Sequence, residues 1–315
     1  MKSAFVTGGS GFVGGRLIPA LRARGVEVKA LARSDAAVVA VEALGATAVR
    51  GDLDDRGALA AGCQGCEVVF HAAAYVDEHG SLADHLRVSF HGTESVLAAA
   101  RVAGVRRLVH VSTEAVIADG APIVRADETR PVAARPLGAY GIAKARAEAA
   151  VVAASGAGLE TVVVRPRFIW GKGDKALLRQ FTEAVRQNRF VWIAGGHYLT
   201  STAHVDNVVE GLLLAADRGT PGEIYFVTDG APVEFRAFVI RWLGTQGIDP
   251  GTRSIPRWLA RLVASATAWM KTPPMTKSAF AVIAHEVTID DGKARRELGY
   301  LGTTSIDAGL AEMRG

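Results

Sequence analysis

Cysteine is nearly absent: the 315 residues contain two, Cys63 and Cys66. A structural zinc site usually takes four ligands, and nothing else in the chain supplies cysteine. Cys63-Gln64-Gly65-Cys66 is therefore read as two small residues in a tight turn, in a reducing cytoplasm. No cluster of His, Asp and Glu has metal-ligand spacing, so no metal is expected. No apolar run reaches the ~18–20 residues of a membrane span. Met1-Lys2-Ser3 leads straight into a strand pattern, without the apolar core of a signal peptide. The net charge is only +4, with arginines such as Arg101, Arg106 and Arg107 scattered rather than clustered, so nucleic acid is not an expected partner. Internal repeats and low-complexity linkers are also missing.

Apolar, β-branched runs alternate with helical patterns through the first half. Strands are expected at 3–7, 26–32, 46–50, 67–71, 107–112 and 161–165, and helices at 12–23, 54–61, 82–102 and 139–153. Strands with continuous apolar character, each followed by a helix, indicate an α/β fold with a doubly wound parallel sheet covered on both faces. Beyond residue 170 the pattern loosens. A helix at 204–218 and a strand at 223–228 stand out, and the proline-bearing remainder reads as a smaller, irregular domain.

The first strand ends in Thr7-Gly8-Gly9-Ser10-Gly11-Phe12-Val13-Gly14. Glycines at 8, 11 and 14 allow a tight turn, a close approach of backbone to phosphate and close packing of the next helix. A pyrophosphate would rest on that helix's first amides, those of Ser10 to Val13. An acid at the end of strand two would read NAD, but Arg33 stands there, 19 residues after Gly14. Arginine cannot accept from ribose hydroxyls, whereas it pairs with a 2′-phosphate. NADP is expected, and Asp35 leaves NAD open. Asp52 and Leu53 close strand three, where the carboxylate either bonds the adenine or caps the following helix.

Tyr140 and Lys144 stand four apart in a helical segment, so both side chains leave one face about a turn apart. A free tyrosine titrates near ~10, and an adjacent ammonium is expected to lower that value and make a phenolic acid/base.

As an ordered set these motifs resemble the extended short-chain dehydrogenase/reductase superfamily (the NAD-dependent epimerase/dehydratase family), in particular its 3β-hydroxysteroid dehydrogenase-like and ketoreductase branch. The resemblance extends through His71-Ala72-Ala73, Gly92-Thr93, His110–Val116, Arg165-Pro166, Trp170-Gly171, His204-Val205-Asp206-Asn207 and Arg295–Tyr300. It implies a Rossmann domain of residues 1–170 plus 200–230 and a substrate domain of 171–199 plus 231–315. It implies a catalytic set of Thr113, Tyr140 and Lys144, with Ala72, Ala73, Ala74 and Pro166 joining Tyr140 and Lys144 around the cofactor. A homodimer through the helices at 82–102 and 139–153 is also implied.

Three departures narrow the chemistry. Ser89 stands where many members keep an active-site Asn. The loop reads Ser112-Thr113-Glu114-Ala115, and alanine at the position of the dehydratase base cannot take a proton. Phe168 replaces the Asn with which many epimerases hold a nucleotide diphosphate. His71 and His204 match positions kept for structure. The expected enzyme is therefore an NADP(H)-dependent oxidoreductase interconverting a secondary alcohol and a ketone. A nucleotide-sugar epimerase is the main alternative, and a non-catalytic NADP(H) sensor a second. The substrate is expected to be apolar, held by Phe168 and Trp170, with Arg167 as anchor for any carboxylate. Ile169, Trp192, Tyr198 and Leu199, and the apolar stripe Trp258, Leu259, Leu262, Val263, Ala266, Trp269 and Met270, are expected to cover the nicotinamide as a packed lid. That role is favoured over membrane contact.

Overall fold

The β-branched runs become parallel strands of one sheet. In chain order they are β1 (Ser3–Thr7), β2 (Glu27–Ala32), β3 (Thr47–Arg50), β4 (Val68–His71), β5 (Arg107–Val111), β7 (Glu160–Pro166) and β12 (Ile224–Val227). This computed structural model describes residues 1–77, 80–156, 158–267, 270, 280 and 283–314. The seven strands lie in the order β12-β7-β5-β4-β1-β2-β3, every pair parallel. All residues of β4 and β5 are buried, which is why their sequences show no polar alternation.

One face of the sheet carries α1 (Phe12–Ala23), α2 (Asp35–Ala43) and α8 (Val205–Arg218), joined through Leu17, Leu21, Val41, Val208 and Leu212. The other carries α3 (Arg56–Cys63), α5 (Gly92–Val102) and α6 (Gly138–Ala153), joined through Phe5, Leu59, Val96, Leu108 and Val151. Each such buried aliphatic or Phe side chain contributes roughly 1.5–3 kcal/mol. The helix expected at 82–102 is a composite. A short α4 (Leu82–His85) passes through a π-helical turn at Leu86–His91 into α5.

A second sheet, β13-β10-β15-β6, is built from β6 (Ile123–Ala126), β10 (Leu199–Thr200), β13 (Val233–Glu234) and β15 (Val287–Ile289). Two further strand pairs are β8 (Ile169–Trp170) with β11 (Ala203–His204), and β9 (Trp192–Ile193) with β14 (Ser254–Ile255). They flank an aromatic core of Phe168, Trp170, Phe181, Trp192, Phe235, Phe238 and Trp242. α7 (Leu177–Arg186), α9 (Phe235–Gly244) and α11 (Ile306–Arg314) supply or cover that core.

α10 (Arg257–Ala266) differs from the expected lid. It turns Ala260 and Ala264 inward, while Trp258 is 68% and Leu262 56% exposed. Small residues form its seam because they let the helix lie close to Phe280 and Ala284. Trp269 lies outside the described residues. Among the described residues no helix is long and apolar enough to cross a membrane.

Candidate active site

The chain runs outward from β1 through β2 to β3, then returns to the other side of β1 at β4. The crevice at this reversal is where doubly wound sheets bind ligands. It opens here into a cleft of about 1270 Å³ along the carboxyl ends of the central strands.

Gly11 caps α1 with no side chain of its own, so the first amides of the helix stay open toward the cleft. At Gly14 a Cβ would lie 2.2 Å from the carbonyl oxygen of Gly8, so glycine alone lets α1 start this close to the turn. Gly8 itself has φ +75°, and a Cβ there would lie 2.8 Å from the Ala73 nitrogen. These contacts press the segment Ala72–Ala74 against the turn. Gly8, Ser10, Gly11, Phe12, Val13, Gly14, Ala72, Ala73 and Ala74 all line the cleft, together with Arg33, Asp52, Leu53 and Pro166. Open helix amides, an exposed arginine at the rim and a glycine cradle fit a dinucleotide.

The acids near this end of the cleft have different settings. Asp35 is paired with Arg50 and does not line the cleft. Asp55, not Asp52, caps α3, accepting from the Ala58 amide at 2.9 Å. Asp52 accepts instead from the Asp54 amide at 2.9 Å and keeps a place on the cleft wall.

At the other end, Thr113, Tyr140 and Lys144 share the cleft. Lys144 is buried and donates to the Val111 carbonyl at 2.6 Å, with His110 Nε2 at 3.3 Å. Burial outweighs the nearby Glu148 carboxylate and brings the ammonium down to about 8. Tyr140 departs from expectation. Burial, and after it the charge of Glu114, push the phenol up to about 12. A hydrogen bond with Thr113 works the other way, and Lys144 is not among the causes.

The two hydroxyls after β5 have matching but unequal settings. Ser112 donates to Glu148 at 2.6 Å, and Glu148 is clamped by Arg165 at 2.8 and 2.5 Å, all buried. Thr113 donates to Glu114 at 2.9 Å, and Glu114 accepts from Arg167 at 2.6 Å. Only the second set reaches the cleft with both of its charged groups. Arg167 lines the cleft and donates to Glu114, so the anchor expected for a substrate carboxylate already holds a carboxylate of the protein itself.

His71 is part of a buried hydrogen-bond chain. Thr93 donates to the Ser89 carbonyl at 2.6 Å, so it accepts from His71 Nε2 at 2.8 Å, and His71 Nδ1 accepts from Thr7 at 2.6 Å. Burial drives His71 down to about 3, hence neutral. His204, Asp206 and Glu312 are one group among the described residues with metal-ligand spacing. The Arg16 guanidinium already lies 3.5 Å from Asp206 and 2.5 Å from Glu312. Cys63 and Cys66 are buried free thiols, and burial pushes Cys63 up to about 12.

Phe168 and Ile169 line the cleft, but Trp170 does not. It is fully buried, packed on His204 and Phe238, and donates to Asp229 at 2.7 Å. Strand alternation at β8 turns it away from the cleft. Trp192 and Tyr198 are likewise core residues, and Leu199 is 44% exposed. Ala118, Leu137, Leu177, Gln180, Phe181, Phe190 and Ile283 line the same cleft as the Thr113, Tyr140 and Lys144 group. The strong amphipathicity of 177–186 was the one local signal that could have found part of this lining.

Residues 5–257 match the 3-beta hydroxysteroid dehydrogenase/isomerase family. The chain is 50% identical, over 98% of its length and 95% of the relative's, to the 4-hydroxy-2-methyl-3-oxo-4-farnesyl-3,4-dihydroquinoline-1-oxide ketoreductase of Stigmatella aurantiaca. It is 32% identical, over 98% of its length and 97% of the relative's, to the 2-alkyl-3-oxoalkanoate reductase of Stenotrophomonas maltophilia. Among solved structures, dTDP-glucose 4,6-dehydratase from Streptomyces venezuelae, crystallised with NAD, superposes with a TM-score of 0.78. That pair shares 25% identity and covers 99% of this chain and 95% of the other. The chain belongs to the 3-beta hydroxysteroid dehydrogenase/isomerase family within the extended short-chain dehydrogenases/reductases, and is an NAD(P)-dependent oxidoreductase of the ketone–alcohol type.

Proposed function

We propose that this enzyme reduces a bulky, largely apolar ketone with NADPH. The observation that carries the reading is the union, in one cleft, of Thr113, Tyr140 and Lys144 with the wall of Leu137, Leu177, Phe181, Phe190 and Ile283. Burying a hydrocarbon skeleton against such a wall gains ~25 cal/mol per Å², whereas each sugar hydroxyl or phosphate placed there would need a partner. The ketoreductase of Stigmatella aurantiaca, named for a farnesyl-bearing substrate, supports a substrate of this kind.

In this reading Tyr140 donates the proton to the carbonyl oxygen. Thr113 orients that oxygen through Tyr140, since its own proton is given to Glu114. Lys144 holds the nicotinamide ribose. The nicotinamide supplies the hydride. Arg33 pairs with the 2′-phosphate, a role favoured by its place on the cleft while Asp35 is turned to Arg50. Asp52 and Leu53 hold the adenine, and the open amides of α1 the pyrophosphate. The division into a cofactor part (1–170 with 200–230) and a substrate part (171–199 with 231–315) belongs to the same reading. So does a homodimer through α5 and α6.

The test is a paired panel of bulky apolar ketones and UDP- or dTDP-sugars. NADPH consumption on the ketones, with no epimerised sugar, is the expected result. Turnover confined to the nucleotide sugars would make the enzyme an epimerase, and no turnover of either with tight NADPH binding would favour a sensor.

A further inference from the structure

We propose that Glu114 sets the charge of the substrate this enzyme accepts. Its carboxylate, held between Arg167 and Thr113 beside the reaction centre, favours neutral ketones over those carrying an anion close to the carbonyl. The inference rests on the ketone-reductase reading and narrows its substrate class.

Glu114 opens the short 3₁₀ turn Glu114–Ile117 that follows β5, is 6% exposed and lines the cleft. Both of its oxygens are engaged, one by Arg167 at 2.6 Å and the other by Thr113 at 2.9 Å. The pair is neutral as a whole, but its negative member is the one bonded to the catalytic hydroxyl. The phenol of Tyr140 feels that polarity, since the Glu114 charge is one of the two causes that raise it. Arg167, 1% exposed, has its charge turned to Glu114, and a further donor reaches Thr200 at 3.3 Å. The chemically similar Arg165–Glu148 pair lies behind Ser112 and does not line the cleft, so it leaves the substrate untouched.

In a 3-oxo acid the carboxylate carbon stands two bonds from the ketone carbon. Its oxygens therefore come within roughly 3–5 Å of the carbonyl oxygen by ordinary bond lengths. With that oxygen at Tyr140, the substrate carboxylate would face the negative member of the Glu114–Arg167 pair. At an effective dielectric near 20 and a separation of roughly 6–8 Å, the Glu114 charge alone would weaken binding roughly 10- to 100-fold, and the Arg167 charge beside it offsets most of that, leaving a preference of about threefold. A ketone, ester or amide of the same shape escapes it.

The experiment compares a 2-alkyl-3-hydroxyalkanoate with its methyl ester, both stable to decarboxylation, in the oxidative direction with NADP⁺. Wild type, Glu114→Gln and the double variant Glu114→Gln/Arg167→Gln are assayed for kcat/KM. Binding of both ligands to each enzyme–cofactor complex is measured by calorimetry. Wild type is expected to favour the ester by about threefold. Glu114→Gln should shift the acid-to-ester ratio toward the acid by roughly 10- to 100-fold, and the double variant should fall between them. Loss of acid and ester in parallel in both variants would show a purely structural pair and overturn the proposal. So would a wild type indifferent to the charge. Should the ester bind without turnover, the ketone-reductase reading fails, while the acid-to-ester binding ratio still decides the role of Glu114.

Discussion

Tyr140 holds its proton firmly, because burial and the Glu114 charge both oppose the phenolate. The phenol is protonated at neutral pH, as ketone reduction requires, although the upward shift makes it a weaker acid than free tyrosine. If it carries the proton, Tyr140→Phe should lower kcat/KM by ~10²–10⁴-fold. NADPH affinity measured by fluorescence should stay near that of wild type, and a Phe variant of ordinary activity would end the mechanism. At the opposite end of the cleft, Arg33 is exposed on the wall. Arg33→Asp should weaken NADPH by roughly ten- to a hundredfold, the value of one or two charge-assisted hydrogen bonds, and leave NADH much less affected. Equal losses for both cofactors would take Arg33 out of phosphate recognition.

The junction of β1 and α1 shows how a single Cβ can govern a binding site at the level of elements. Gly14→Ala would place its methyl 2.2 Å from the Gly8 carbonyl, a backbone atom that cannot swing aside. α1 must then retreat from the turn, carrying the pyrophosphate amides with it. Overpacking of this kind costs about 1–3 kcal/mol, so a lower melting temperature and a weakened NADPH complex are expected together. Unchanged affinity would show that the turn tolerates a wider gap. This region was readable in sequence because strand, turn and helix are contiguous and each obeys a local rule. The central strands were readable for a similar reason, β4 and β5 being buried on both faces. The second sheet was not: β10 and β13 have two residues each, too few to show a period of two. Trp170 misled for the opposite reason. Its size and place suggested substrate contact, but a one-residue alternation from Ile169 faces it into the core against Asp229.

Across the whole molecule, the glycine-turn side of the cleft comes from short motifs, whereas its apolar lining is assembled from distant pieces. Ala118, Leu137, Phe181 and Ile283 meet only in the fold, and the pairing of Glu114 with Arg167 spans 53 positions. No sequence period records such contacts. The same assembly buries imidazoles in the middle of the protein, with a consequence for stability. His71 is held down to about 3, and His110 well below its ordinary value, by burial and then by Lys144. Unfolding releases both rings to an ordinary value near ~6.5. Below pH ~6.5 the unfolded chain therefore binds two protons that the folded one refuses, and stability falls as pH falls. The slope is about 1.4 kcal/mol per pH unit for each proton fully taken up. His204 and His285 are shifted in the same direction and add to it. Urea unfolding at pH 7.0 and 5.5, a window mostly above carboxylate titration, should show a lower midpoint at the lower pH. His71→Gln should flatten that dependence, whatever it costs at pH 7. A midpoint that does not move between the two pH values would mean that these histidines take up protons within the fold.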